Sequence, residues 1–190
     1  VPDSAPDGPK ARYLTALIQV RYKMYKSAVE SLQRAIVAVE QQKGDSVIRD
    51  LGYMALARIA YEAGNYDAAI FYYKKVPQSS SKAGVVFYEM AWTYMMKGDY
   101  SRALGSFHTL HSPYFAETFF PELWILEARA YGDLCYPDRA KRALEMFERD
   151  VVSTQVPLRA FINAQKSPED FYNNFVAAVN GEPSAMKLDD

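Results

Sequence analysis

The chain has 190 residues, 49% of them apolar, and its 22 basic and 23 acidic side chains leave a net charge of −1. That apolar share is enough to bury a core, which excludes disorder of the whole chain. The near-perfect charge balance excludes the basic field that general attraction to nucleic acid or anionic lipid requires.

A single cysteine, Cys135, rules out an internal disulfide. One thiol fits a reducing cytoplasm and equally a periplasmic or envelope setting, so the compartment stays open. No apolar run approaches the roughly 20 residues that span a bilayer, so no membrane insertion by this segment is expected. The chain opens on Val1-Pro2-Asp3 and reads as a mature product or a piece of something longer.

Taken in chain order, residues 1–10 carry three prolines and a glycine without apolar period and read as a linker. A first helical unit is predicted over about 11–45. Its first helix falls near 11–23, and its second sets Tyr25, Ala28 and Leu32 on one face. A second unit, about 50–83, places Tyr53, Leu56, Ala57 and Ala60 on one helix and Ala69 and Tyr73 on the next, with Gly64-Asn65-Tyr66 between them. A third, about 84–117, repeats the pattern with Phe87, Met90, Ala91 and Tyr94, the turn Gly98-Asp99-Tyr100, then Ala103 and Phe107. A fourth, about 121–154, offers Trp124, Glu127, Ala128 and Tyr131, then Ala140 and Leu144. Here Cys135-Tyr136-Pro137 stands where the glycine turn stood. Capping helices are predicted over 155–181, the last opened by Ser167 and Pro168 and closed by Gly181. Residues 182–190 read as a flexible tail.

The step from Gly64 to Gly98 is 34 residues, and the small–large pattern recurs in phase with it. Small residues such as Ala57 and Ala69 let paired helices approach, and large ones beside them fill the space. This period and pattern resemble the tetratricopeptide (TPR) repeat. The stretch FFPELWILEARAYGDLCYPDRA (119–140) is also similar to TPR proteins of bacterial cell envelopes, including ones associated with gliding motility. The resemblance implies an all-α, right-handed superhelical solenoid of antiparallel helix pairs, about four units plus C-terminal helices. It departs from the family in lacking the closing proline of each unit.

In such proteins the first helix of each unit lines a concave groove that holds a partner. The helix face one residue on from the packing face presents Met54, Arg58, Tyr61 and Glu62 in the second unit. It presents Tyr88, Trp92, Met95 and Met96 in the third, and Ile125, Arg129, Gly132 and Asp133 in the fourth. Aromatic anchors and adaptable methionines suit a protein or peptide contact, and Arg58 or Arg129 suits a carboxylate. The carboxylate clamp of chaperone-binding TPR domains is not expected, because the matching places hold Met54, Arg58, Glu89, Glu122 and Leu126.

Little else in the sequence suggests chemistry. His108 and His111 stand three apart with Glu117 nearby, short of a metal site. Cys135 has no histidine beside it in sequence. Glu127 falls on a packing face, where pairing with Arg129 or Arg139 is the ordinary solution. Lys141, Glu145 and Arg149 make a solvated face of helix ion pairs. No cofactor, metal or catalytic residue is expected. The leading expectation is a non-catalytic scaffold binding a protein or peptide of unidentified nature. A structural spacer that self-associates through solenoid ends, and a docking region of a larger enzyme, are the alternatives.

Overall fold

The computed structural model describes residues 5, 7–42, 44–116 and 118–180. Among them the regular structure is entirely helical. The helices are α1 (Gly8–Arg21), α2 (Tyr25–Gln42), α3 (Ser46–Glu62), α4 (Tyr66–Tyr73), α5 (Ala83–Lys97), α6 (Tyr100–Leu110), α7 (Leu123–Asp133), α8 (Pro137–Asp150), α9 (Gln155–Ala164) and α10 (Pro168–Val179). Short 3₁₀ turns lie at Pro113–Phe115 and Val152–Thr154. The chain falls into two compact units, 1–119 and 120–190. In the first, α1 packs on α2, α3 on α4 and α5 on α6, and the pairs are joined by α2 against α3 and α4 against α5. In the second, α7 packs on α8. Helices packed in consecutive pairs make this an all-α fold of the helical-solenoid kind.

One turn geometry closes every pair. Lys23, Gly64, Gly98 and Cys135 all have positive φ, between 60° and 80°. The amide of each donates to the carbonyl three residues back, and the following amide donates to the carbonyl five back. Examples are Gly64 to Tyr61 and Asn65 to Ala60, both at 2.9 Å, and Cys135 to Gly132 at 2.9 Å with Tyr136 to Tyr131 at 2.8 Å. This pair of bonds satisfies the last carbonyls of the helix and requires a left-handed residue, for which glycine is the unstrained choice. The next residue then starts the following helix. Asn65 accepts from the Ala68 amide at 3.1 Å and Asp99 from the Arg102 amide at 3.2 Å. At the fourth turn Tyr136 makes no such side-chain cap, and Pro137 occupies the first turn of α8 instead.

The small residues that sequence placed between helices are fully enclosed in the first unit: Ala28, Ala57, Ala69, Ala91 and Ala103 have no exposure. Leu32, Tyr73 and Phe107 fill the adjoining space. Helices α2 and α3 fit tightly at Gly52, where a Cβ would lie 2.8 Å from Ile36 Cγ1.

Two sequence readings are corrected here. Helix α1 begins at Gly8, inside the stretch read as linker, because Pro9 sits in its first turn, where its missing amide proton costs nothing. Leu144 is exposed, and Ala143 is the buried residue of α8, with Ala140 only half-buried. The main partner of α8 is α7, so α8 buries a narrow stripe, whereas α4 lies between α3 and α5 and buries Tyr73 as well.

Helices α8, α9 and α10 each bury one residue: Ala143, Phe161 and Ala178. The rings of Phe161 and Phe171 meet at 5.7 Å, and Ser167 Oγ caps α10 by accepting from the Asp170 amide at 3.1 Å. Gly181 and the 182–190 tail lie outside the described residues.

Candidate functional site

Helices α3 and α5 are the first helices of two successive pairs, and one side of each faces solvent in the first unit. Arg58 on α3 and Glu89 on α5 meet there. Arg58 Nε donates to both carboxylate oxygens, at 2.9 and 3.1 Å. Tyr73, the last residue of α4, is buried and its hydroxyl donates to Glu89 Oε2 at 3.0 Å. Burial, then the neighbouring Glu89 carboxylate, push the Tyr73 phenol far above its ordinary range. The Arg58 guanidinium is raised chiefly by its bond to Glu89. Burial also raises Tyr13 on α1, against the opposing pull of the Arg58 charge. Glu89 is thus fixed from two sides, and the network ties α3, α4 and α5 together.

Beside this network lies a cleft of about 330 Å³ lined by Arg58, Tyr61, Tyr73, Glu89 and Trp92. Trp92 and Tyr61 are half-buried, and the Tyr61 ring leans on Tyr66 at 5.6 Å. The charges in the lining are already paired with each other, so three aromatic rings supply the remaining surface. Such a cleft suits an apolar or aromatic side chain, whose burial there needs no new charge to be desolvated.

The sequence stripe is partly corrected by this geometry. Met54 and Met95 are 2% and 6% exposed and belong to the core. Helix α3 packs on both α2 and α4, and α5 on both α4 and α6. A helix gripped from two sides buries a face wider than the single stripe used for the reading. Arg58 and Glu62 on α3 and Met96 on α5 are exposed, and Tyr61, Tyr88 and Trp92 are half-buried. In the second unit Ile125 and Arg129 are exposed on α7, Gly132 likewise, and Arg129 Nε stands 3.9 Å from Asp133. Glu89 and Tyr73 were missed as site residues. The available signal was the repeat itself. Trp92 sits 34 residues after Arg58, so Glu89, one turn before Trp92, falls on the same face of the next first helix.

A second cleft, of about 320 Å³, lies within the second unit between α7 and α8, lined by Trp124, Glu127, Tyr131, Arg139, Arg142 and Met146, among others. Glu127 is 3% exposed there. Arg139 lies over the rings of Tyr131 and Tyr136, at 5.7 and 5.5 Å, and shares the cleft with Glu127. His108 and His111 are exposed near the end of α6, and Cys135 is exposed in its turn. Glu117 lies outside the described residues. Among the described residues no group of three or more His, Cys, Asp or Glu is gathered as a metal would require, and no helix is long and apolar enough to cross a membrane.

No protein-family model matches the chain, and no curated protein matches it. Among solved structures it is similar to BtubC (BKLC) from P. vanneervenii, with a TM-score of 0.64 at 16% identity, covering 86% of this chain and 68% of that one. At that identity the likeness concerns the fold alone.

Proposed function

We propose that the chain is a non-catalytic scaffold of the TPR kind that captures a protein or peptide along the first helices of its repeats. The observation that carries this reading is the cleft beside Trp92. A large aromatic ring stands half-open on the outward side of α5, next to Tyr61 and to a charge pair that is already satisfied. Aromatic residues in such positions dominate binding energies at protein interfaces. The 34-residue step, the four identical turns and the enclosed alanines support the TPR assignment. The occupant suggested by the lining is an apolar or aromatic side chain of the partner.

Panning a displayed library of short random peptides on the immobilised chain tests the proposal. Enriched sequences should share an aromatic or long aliphatic anchor and should compete with one another for the chain. Failure to enrich any sequence over a blank surface, or enrichment undiminished on a Trp92→Ala surface, would remove this cleft as the binding site.

A further inference from the structure

Scattered exposed apolar side chains are normal, but contiguous stripes of them on one helix face are not. Among the described residues, two such stripes lie on the first and last helices. On α1, Leu14, Leu17 and Ile18 are exposed, with Lys10 and Arg21 on the same face and Tyr22 beside it; Ile18 is 58% exposed and Tyr22 73%. The opposite side of α1 does the packing, with Ala16 and Tyr13 in the cluster around Leu32 and Ile36. On α10, Tyr172, Phe175 and Val179 are exposed at helical spacing, Tyr172 at 66%, while Phe171 at the edge of this face meets Phe161 of α9 and Ala178 is the residue this helix buries.

The two segments carry opposite charge. Helix α1 contains three bases, Lys10, Arg12 and Arg21, and no acid. Residues 167–180 contain two acids, Glu169 and Asp170, and no base. Like pairing with like would set bases against bases, or acids against acids, around an apolar centre. Pairing α1 with α10 covers both apolar stripes and sets Lys10 and Arg21, at the ends of one stripe, against Glu169 beside the other.

We infer that the chain associates head to tail with a second copy of itself, the apolar face of α10 of one copy docking on the apolar face of α1 of the next. Such a contact is heterologous: each copy keeps one unused face, so assembly continues beyond the dimer unless a ring closes. The rim charges make the association weaken as salt rises.

Sedimentation velocity on the 190-residue chain over a range of concentrations, at low and high salt, reads this directly. The mean mass should climb past that of a dimer with concentration and fall with added salt. Ile18→Glu and Tyr172→Glu both alter exposed positions, so each should keep the helical circular dichroism of the parent while remaining monomeric. An equimolar mixture of the two should form a dimer and stop there, since each variant retains one intact face. A chain monomeric at every concentration would overturn the proposal, as would assembly by Ile18→Glu or a mixture that stays monomeric. Loss of association in Tyr172→Glu with none in Ile18→Glu would assign the contact to two α10 faces instead.

Discussion

Arg58 and Glu89, 31 residues apart, are joined by hydrogen bonds from one guanidinium to both carboxylate oxygens, at 2.9 and 3.1 Å from Nε alone. The pair is partly exposed, with side-chain exposures of 51% and 22%, so its Coulomb energy is screened and small. Its structural weight comes from the third member. Tyr73 is buried, and Glu89 accepts the hydrogen bond from its hydroxyl. Glu89→Ala should therefore cost about 1–3 kcal/mol, because it leaves a buried hydroxyl without its acceptor. Tyr73→Phe should cost about 1 kcal/mol, since Glu89 keeps Arg58. Chemical denaturation of the two single variants and the double variant checks the order and the coupling between them.

The same network predicts an alkaline limit to stability. The Tyr73 phenol is held above its ordinary value of 10.0 by burial and by Glu89. The folded chain then keeps a proton that the unfolded chain loses, so this contribution is fully present below pH 10 and is lost as pH rises above it. The melting temperature should fall between pH 9 and pH 11, and Tyr73→Phe should lose less over that interval than the parent. Equal losses would show that Tyr73 is not held protonated by the fold.

The four turns predict opposite effects of the same kind of exchange. Gly98 has φ 80° and nothing within 4 Å of the place a Cβ would occupy. Gly98→Ala should cost about 1 kcal/mol from backbone strain alone. Cys135 already sits at φ 60°, so Cys135→Gly should relieve strain and be neutral or stabilising by up to about 1 kcal/mol. Thermal melts of both variants decide this, and a destabilised Cys135→Gly would mean that the cysteine side chain contributes packing the turn geometry does not reveal.

Gly52 tests how closely α2 and α3 are fitted. Gly52→Ala should overpack Ile36 and cost about 1–3 kcal/mol. Combining it with Ile36→Ala should cost less than the sum of the two single changes, because the methyl group enters the space Ile36 leaves. Strict additivity of the three unfolding free energies would contradict the close contact.

Much of this architecture was legible in the sequence because it is local. Gly64 and Gly98 announce turns that only a left-handed residue closes without strain, and the alanines at 57, 69, 91 and 103 recur in phase with them. Lys23 and Cys135 make the same turn without a glycine; Cys135-Tyr136-Pro137 was legible as a turn from the repeat phase, but its left-handed residue carries no glycine to mark it. The candidate site was harder to read. Met54 and Met95 lie on the stripe that a helix packed from one side would expose, but neighbours on both sides of α3 and α5 bury them. Glu89 was read only as a residue hostile to a carboxylate ligand; its pairing with Arg58 and Tyr73 depends on how three helices meet, and no spacing within one helix encodes that. Leu144 failed for the converse reason: α8 packs mainly on α7, whereas α4 lies between α3 and α5 and buries Tyr73.

On the proposed function, Trp92 serves binding more than folding. A peptide enriched on the immobilised chain, titrated calorimetrically against the parent and Trp92→Ala, measures this most directly when both proteins are also melted. Affinity should fall by about 2 kcal/mol or more, roughly thirty-fold in Kd, with less than about 1 kcal/mol lost in stability. Unchanged affinity in a Trp92→Ala protein that melts far below the parent would contradict it, making Trp92 a core residue and placing the ligand on another face.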